Sequence, residues 1–177
     1  DLIVIGAGPG GYVASVRAAQ LGMKTACVEK EERLGGVCLN VGCIPSKALL
    51  DSSEHYHFAR SRMAEHGVTI DSVRLELAAM MARKEQVVKD LTDNVRKLLE
   101  ANKVKMIRGR ARLLSADRVE IPGSSGGAGA EGDVYQAGAI LLATGSEPVA
   151  LPGLEFDGKH IVSSTEALSF GTVPEHL

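Results

Sequence analysis

The segment Gly6-Ala7-Gly8-Pro9-Gly10-Gly11 limits what this chain can fold into more than any other. It reads G-x-G-x-x-G and follows Leu2-Ile3-Val4-Ile5, an apolar, β-branched run of the kind found in buried parallel strands. Pro9 to Leu21 continues with small residues at helical spacing, Gly22 stops it, and Lys24 to Glu29 reads as a second strand. Together these form a βαβ unit. Gly6 permits the tight turn, Gly8 lets the backbone approach a pyrophosphate, and Gly11 lets the helix sit close to the strand. The helix N-terminus then offers unsatisfied N–H groups and a positive dipole to an anion. Glu29 ends the second strand, placed to accept hydrogen bonds from ribose hydroxyls, and its charge disfavours a 2′-phosphate. The alternative is a glycine-rich turn with a surface Glu. The motif alone does not separate FAD from NAD.

The rest of the chain is consistent with an α/β fold. Ser46 to His66 reads as a long helix ended by Gly67, and Leu75 to Ala101 as another. In the second helix Leu77, Met81, Val88, Leu91, Val95 and Leu98 recur at helical spacing, which predicts a core-facing side, with a dimer contact as the alternative. Val104 to Ile107 reads as a strand ending at Gly109. Two short strands are expected around Ala111 to Leu114 and Arg118 to Ile121, and a buried strand over Ala139 to Ala143. Pro122 to Gly132 reads as a flexible surface loop.

Composition excludes several classes of function. The net charge is −2 and no Lys/Arg block stands out, so no nucleic-acid partner is expected. No apolar run approaches the roughly 20 residues that span a bilayer, and there is no signal-peptide pattern. Asp1 opens directly into an apolar strand, so a natural N-terminus is expected to precede it. The five histidines (His55, His57, His66, His160 and His176) match no catalytic arrangement and read as helix-surface or loop residues. Cys27 lies in a predicted strand and reads as a small core residue.

Cys38 and Cys43 are five positions apart in Gly35-Gly36-Val37-Cys38-Leu39-Asn40-Val41-Gly42-Cys43-Ile44-Pro45-Ser46-Lys47. Zinc sites need two Cys pairs or a Cys/His set, and here no His occurs before His55, so no metal is expected. A disulfide needs Cα atoms roughly 4.4–6.8 Å apart, whereas five residues of regular helix rise about 7.5 Å. A bond between the two therefore requires distorted backbone, for which Asn40 and Gly42 are suited. Pro45 is tolerated in a first helical turn, so the regular helix is expected to begin near Cys43. The positive end of its dipole favours a Cys43 thiolate, with Lys47 one turn on, and the Cys38 sulfur is expected to be the more exposed of the two. Two unrelated thiols remain the alternative.

The stretch G-G-V-C-L-N-V-G-C-I-P-S-K-A-L-L resembles the redox-disulfide segment of class I pyridine nucleotide–disulfide oxidoreductases, and L-N-V-G-C-I-P-S-K is most similar to the dihydrolipoamide dehydrogenase branch. The resemblance runs from the Gly6 turn to Ala143-Thr144-Gly145. It implies a Rossmann-like FAD-binding domain over residues 1–177, with a parallel sheet, flanking helices and a small antiparallel β-meander. By this resemblance Cys38, Cys43 and Lys47 are the catalytic residues, with Cys38 the interchange thiol, Cys43 facing the flavin and Lys47 near its N5. The cofactor contacts fall on Gly6, Gly8, Pro9, Gly11, Glu29, Lys30, Gly35, Gly36, Val37, Cys38, Cys43, Lys47, Gly109, Ala111, Ala143, Thr144 and Gly145. Val37 stands where the family usually has Thr. The resemblance also implies NAD as electron acceptor, lipoyl-bearing carriers of 2-oxo acid dehydrogenase or glycine cleavage complexes as partners, and a homodimer. The expected location is a bacterial cytoplasm or a mitochondrial matrix. The NAD-binding and C-terminal dimerisation parts of the family are not found, so the chain reads as a fragment. A glutathione- or mercuric-reductase-like enzyme is the near alternative, and a non-catalytic flavin-binding or interaction module the distant one.

Overall fold

The computed structural model describes residues 1–122 and 132–176. The expected loop over Pro122 to Gly132 lies, but for its end residues, outside the described residues. The chain divides into two compact units: Asp1–Asn40 with Leu91–Glu147, and Val41–Asp90 with Pro148–Leu177.

The first unit is built on a parallel sheet of β1 (Leu2–Ile5), β2 (Thr25–Glu29), β3 (Lys105–Arg108) and β7 (Ala139–Leu142). The strand order is β3-β2-β1-β7, with Leu2 opposite both Thr25 and Ala139. The connection β1-α1-β2, with α1 spanning Pro9–Gln20, is the βαβ unit read from the sequence. Side chains alternate across the sheet. On one face Ile3, Val28 and Ile107 form a core with Val119 and Ile121 of a second, antiparallel sheet. That sheet comprises β4 (Arg112–Leu113), β5 (Arg118–Ile121) and β6 (Asp133–Gln136) in the order β4-β5-β6. Val4 and Cys27, at the alternate positions, are fully buried, and α1 contributes buried Gly11, Ser15, Val16 and Ala18. Burial pushes the Cys27 thiol above its ordinary value, as suits a core residue. The order of connection switches side at β1: the chain leads outward from β1 to β2 and β3, and β7 is added in parallel on the other side of β1. In an open α/β sheet, a ligand crevice forms at the carboxyl ends of such strands. Here those ends carry Gly6 and Ala143.

In the second unit, α3 spans Cys43–Ser61 and a 3-10 turn follows at Met63–His66. The single helix expected over Ser46 to His66 therefore starts three residues earlier and breaks at Arg62, where φ is −116°. Helix α4 spans Leu77–Ala101. Within this unit Arg83 of α4 is tied to α3, donating to the Ala48 carbonyl at 3.1 Å and to Asp51 Oδ2 at 2.7 Å. Lys84 is 4% exposed and donates to the Leu168 carbonyl at 2.8 Å, just beyond α5 (Ser164–Ala167). The buried stripe of α4 runs Lys84, Val88, Thr92, Val95, Leu99, not to Leu98, which is 43% exposed. A spacing of four at its end carries the stripe to Leu99. Polarity hid Lys84 and Thr92, although a long amine with a carbonyl partner can be buried. No described helix is long and apolar enough to cross a membrane.

Two outcomes follow. Ile121 is fully buried between the sheets, so Ile121→Ala should lower unfolding free energy by about 2–5 kcal/mol. Urea denaturation checks this, and a loss below about 0.5 kcal/mol would contradict a packed core at that point. Asp157 Oδ1 accepts from the backbone N–H groups of Lys159, His160 and Ile161 at 2.8–2.9 Å, which holds the carboxyl down at about 2. A depressed folded value stabilises the loop above the ordinary carboxyl range and loses that contribution as pH falls through about 2. An NMR titration should show the Asp157 carboxyl and the amides of residues 159–161 moving together at that pH. A midpoint near the ordinary carboxylate value would refute the hydrogen-bonded loop.

Candidate functional site: a glycine cradle joined to a cysteine-bearing helix

The sharp turn after β1 places Gly6 at φ +102°, next to the strand-end backbone of β7. A Cβ at Gly6 would fall on the Ala143 carbonyl oxygen, and one at Gly11 would fall on the Gly6 carbonyl oxygen. These two glycines are demanded by the fold itself. Gly8 is different: a Cβ there would meet only the Gly36 Cα, at an ordinary 3.7 Å. The protein's own packing leaves room at Gly8. That space lies at the N-terminus of α1, where Gly8 is the cap residue with no side-chain cap bond, Pro9 opens the helix and no acid occupies the first turn. The end of the helix is thus left open to an anion.

Glu29 is buried, not a surface acid. Its Oε2 accepts from Ala7 N–H at 2.7 Å and its Oε1 from Glu31 N–H at 3.0 Å. Each carboxylate oxygen has a further lone pair, so both remain able to accept from ribose hydroxyls. The Glu29 carbonyl accepts from Gly109 N–H at 2.9 Å. Gly109 has φ +149°, and a Cβ there would strike Ile121. A recess of about 170 Å³ opens beside Glu29, walled by Leu34, Ile107, Arg96 and Arg108 among others. Ala111 packs against the core beneath. Lys30 is exposed, 3.7 Å from Glu147. Thr144 is exposed, and Gly145, at φ +78°, faces open space.

The segment after β2 returns to the turn. Gly35 N–H donates to the Ala7 carbonyl at 2.9 Å. Gly36 has φ +59°, and a Cβ there would lie 2.8 Å from the Gly8 Cα. Helix α2 (Gly36–Val41) begins at this contact and carries exposed Val37 and half-buried Cys38. Close contacts and hydrogen bonds thus link Gly6, Gly8, Gly11, Glu29, Gly35, Gly36, Gly109 and Ala143 in one network in the first unit. Cys43 and Lys47 belong to the second unit, both exposed, with Cys43 the first residue of α3, so Cys43 and not Cys38 is the more exposed cysteine, against the expectation from sequence. The helix start near Cys43 is as the proline signal implied. The irregular backbone before it falls on Gly42, with φ −143° and ψ −112°. Asn40 does not share it. It lies inside α2, and its side-chain amide donates to the carbonyls of Leu34 and Gly36.

Sequence reasoning missed α2, the Ala7 N–H and the Asn40 amide. A six-residue helix carries too little periodicity to be read, and a backbone donor leaves no trace in residue type. Residue type at Asn40 signals conformational tolerance, but not which carbonyls its amide meets.

The family model for pyridine nucleotide-disulphide oxidoreductases matches residues 1–177. Dihydrolipoyl dehydrogenase 2, mitochondrial, of Arabidopsis thaliana is 50% identical over the whole chain, which covers 34% of that protein. The human dihydrolipoyl dehydrogenase, mitochondrial, is 48% identical with the same coverage, and a leghemoglobin reductase of Glycine max is 48% identical, 33% covered. The chain thus spans about a third of the length of these relatives. In structure, the HOCl-induced flavoprotein disulfide reductase RclA from Escherichia coli matches 98% of the chain and 35% of its own, with TM-score 0.76 at 23% identity, which supports the fold.

The glycine geometry separates two variants. Gly8→Ala should fold with stability changed by less than about 1 kcal/mol, because its Cβ has space. It should nevertheless weaken dinucleotide binding, by filling the approach to the helix end. Gly11→Ala should fail to fold or lose well over 3 kcal/mol, the scale of severe overpacking. Thermal melts with cofactor titration test both. Equal behaviour of the two variants would contradict the cradle.

Proposed function

Because the chain belongs to the pyridine nucleotide-disulphide oxidoreductase family, we propose that residues 1–177 form the FAD-binding, redox-dithiol part of a dihydrolipoamide dehydrogenase. The observation that carries this reading is the contact between Gly36 and Gly8. Dinucleotide binding alone needs no thiol, yet the cysteine-bearing helix starts against the phosphate-binding turn. The donor set suits FAD: an open helix N-terminus for the pyrophosphate, and a buried carboxylate with lone pairs to spare for the ribose. The identities of 47–50% to dihydrolipoyl dehydrogenases of plants and human, over the full chain, favour this branch.

The chain's own residues do the following. Gly6, Gly8, Pro9, Gly11, Gly35, Gly36 and Val37 supply backbone to the cofactor, with Lys30, Gly109, Ala111, Ala143, Thr144 and Gly145 at its flanks. In the oxidised enzyme Cys38 and Cys43 are joined. One thiolate of the substrate dithiol attacks the Cys38 sulfur and breaks that bond, releasing Cys43 as a thiolate. The second substrate thiol loses its proton and attacks the substrate's first sulfur in the mixed disulfide, breaking that sulfur's bond to Cys38. Substrate leaves as a cyclic disulfide and Cys38 as a thiolate. Two electrons have moved to the cysteine pair and two protons to bases or solvent. Cys43 holds its negative charge at the start of α3, with Lys47 one turn further. FAD held at the glycine turn and Glu29 would supply the two-electron acceptor for this pair, with NAD+ as the final acceptor.

The whole enzyme is read as a homodimer serving lipoyl-bearing carriers of 2-oxo acid dehydrogenase or glycine cleavage complexes. The mitochondrial names of the relatives favour a matrix location, with a bacterial cytoplasm the alternative. A glutathione- or mercuric-reductase-like enzyme would use the same pair but different substrate-binding parts. A non-catalytic flavin module would leave the pair without a task.

The test uses the full-length chain with FAD. Cys38→Ser should leave a Cys43 thiolate beside oxidised flavin and show a long-wavelength absorption band, whereas Cys43→Ser should show none. Both should lose dihydrolipoamide oxidation. Identical spectra would reject the assignment of roles, and retained turnover in either variant would reject the dithiol mechanism.

A further inference from the structure

Asn40 has a part in this site that its position between the cysteines does not announce, and the inference rests on the reading of that site given above. Helix α2 has six residues. A helix that short gains few backbone bonds for the residues it orders. Its entry bond, from Leu39 N–H to the Gly35 carbonyl, is long at 3.4 Å. The Asn40 amide supplements it, with Nδ2 donating to the Leu34 carbonyl at 3.0 Å and to the Gly36 carbonyl at 2.9 Å. Using both N–H groups fixes which end of the amide is nitrogen. The two bonds clamp α2 to the turn before it, the turn in which Gly35 and Gly36 take φ +96° and +59°. That same turn donates to the Ala7 carbonyl and packs on Gly8.

The remaining polar atom, Oδ1, is buried and has no hydrogen-bond partner among the described residues. Burying an unpaired amide oxygen is unfavourable, and an apolar side chain of similar size would avoid it. An amide at this position is therefore explained by its two donors, not by packing. We propose that Asn40 is a positioning residue whose carboxamide holds the Cys38 helix and the phosphate-binding turn in one register, so that thiol reactivity and FAD affinity depend on the same side chain.

Two variants of the full-length chain test this. Asn40→Leu removes both donors at similar volume. Asn40→Asp is isosteric, but as a carboxylate it faces two carbonyl oxygens with no donor. Once protonated, it recovers one O–H donor. Burial and the facing carbonyls raise the pKa of such a carboxyl, so recovery should set in as pH falls toward about 5. The readouts are FAD affinity by fluorescence titration and the alkylation rate of Cys38 in the reduced apo chain, followed by mass spectrometry. Loss of two hydrogen bonds should weaken FAD about tenfold to thirtyfold in Asn40→Leu. It should also speed alkylation of Cys38, whose helix is loosened. Asn40→Asp should show both defects at neutral pH and partial recovery on acidification. Unchanged affinity and alkylation in both variants, or an Asn40→Asp defect that does not recover, would overturn the proposal. A residue that only adds stability would lower the melting temperature without that pH profile. Alkylation of the apo chain needs no cofactor. If the wild-type chain binds no FAD, the proposed function falls, and the alkylation arm still decides Asn40. If Asn40→Leu does not fold, the pH series of Asn40→Asp decides alone.

Discussion

The buried carboxylate of Glu29 is the interaction on which the rest of the first unit depends. Its side chain receives N–H groups from Ala7, in the turn after β1, and from Glu31, in the segment that leads to the cysteines. Its carbonyl receives the N–H of Gly109, at the end of β3. One residue thus gathers the loops at three strand ends. A charged group in the interior is tolerable only when hydrogen bonds replace the water it has lost, and here the backbone supplies them. The arrangement leaves lone pairs over for a ligand, so the group that organises the crevice can also read what enters it.

Glycine then sets how closely these loops approach. Gly6 and Gly11 bring the turn, α1 and β7 together at distances no side chain would permit, and Gly36 does the same for the start of α2 against Gly8. The crevice at the carboxyl ends of β1 and β7 follows from strand order. What sets it apart from an ordinary dinucleotide fold is that a thiol-bearing helix opens at its edge.

Much of this was legible. The βαβ unit, the roles of Gly6 and Gly11, the strand positions and the helix start near Cys43 were all local readings, and each depends on residues within one turn or one strand of one another. Where reading erred, the reason was equally physical. Leu98 looked like core because Leu is apolar, but burial passed to Leu99. Lys84 and Thr92 carry no apolar signal, yet both are buried, Lys84 with a carbonyl partner contributed from the distant Leu168. Strand β6 escaped because D-V-Y-Q is too short and mixed to show alternation, and it becomes a strand by pairing with β5.

The sequence by itself determined the class of fold, the glycine-rich turn after β1 and the spacing of the two cysteines, because glycine permissiveness, strand periodicity and helix starts are properties of neighbouring residues. Only the tertiary structure decided that Glu29 is buried rather than exposed, that Gly8 has room for a Cβ while Gly11 has none, and that the Asn40 side chain is hydrogen-bonded to the backbone of Leu34 and Gly36. Each of those outcomes is set by which carbonyl, amide or Cα lies opposite a residue distant in the chain or folded back on it. No local pattern encodes that opposition.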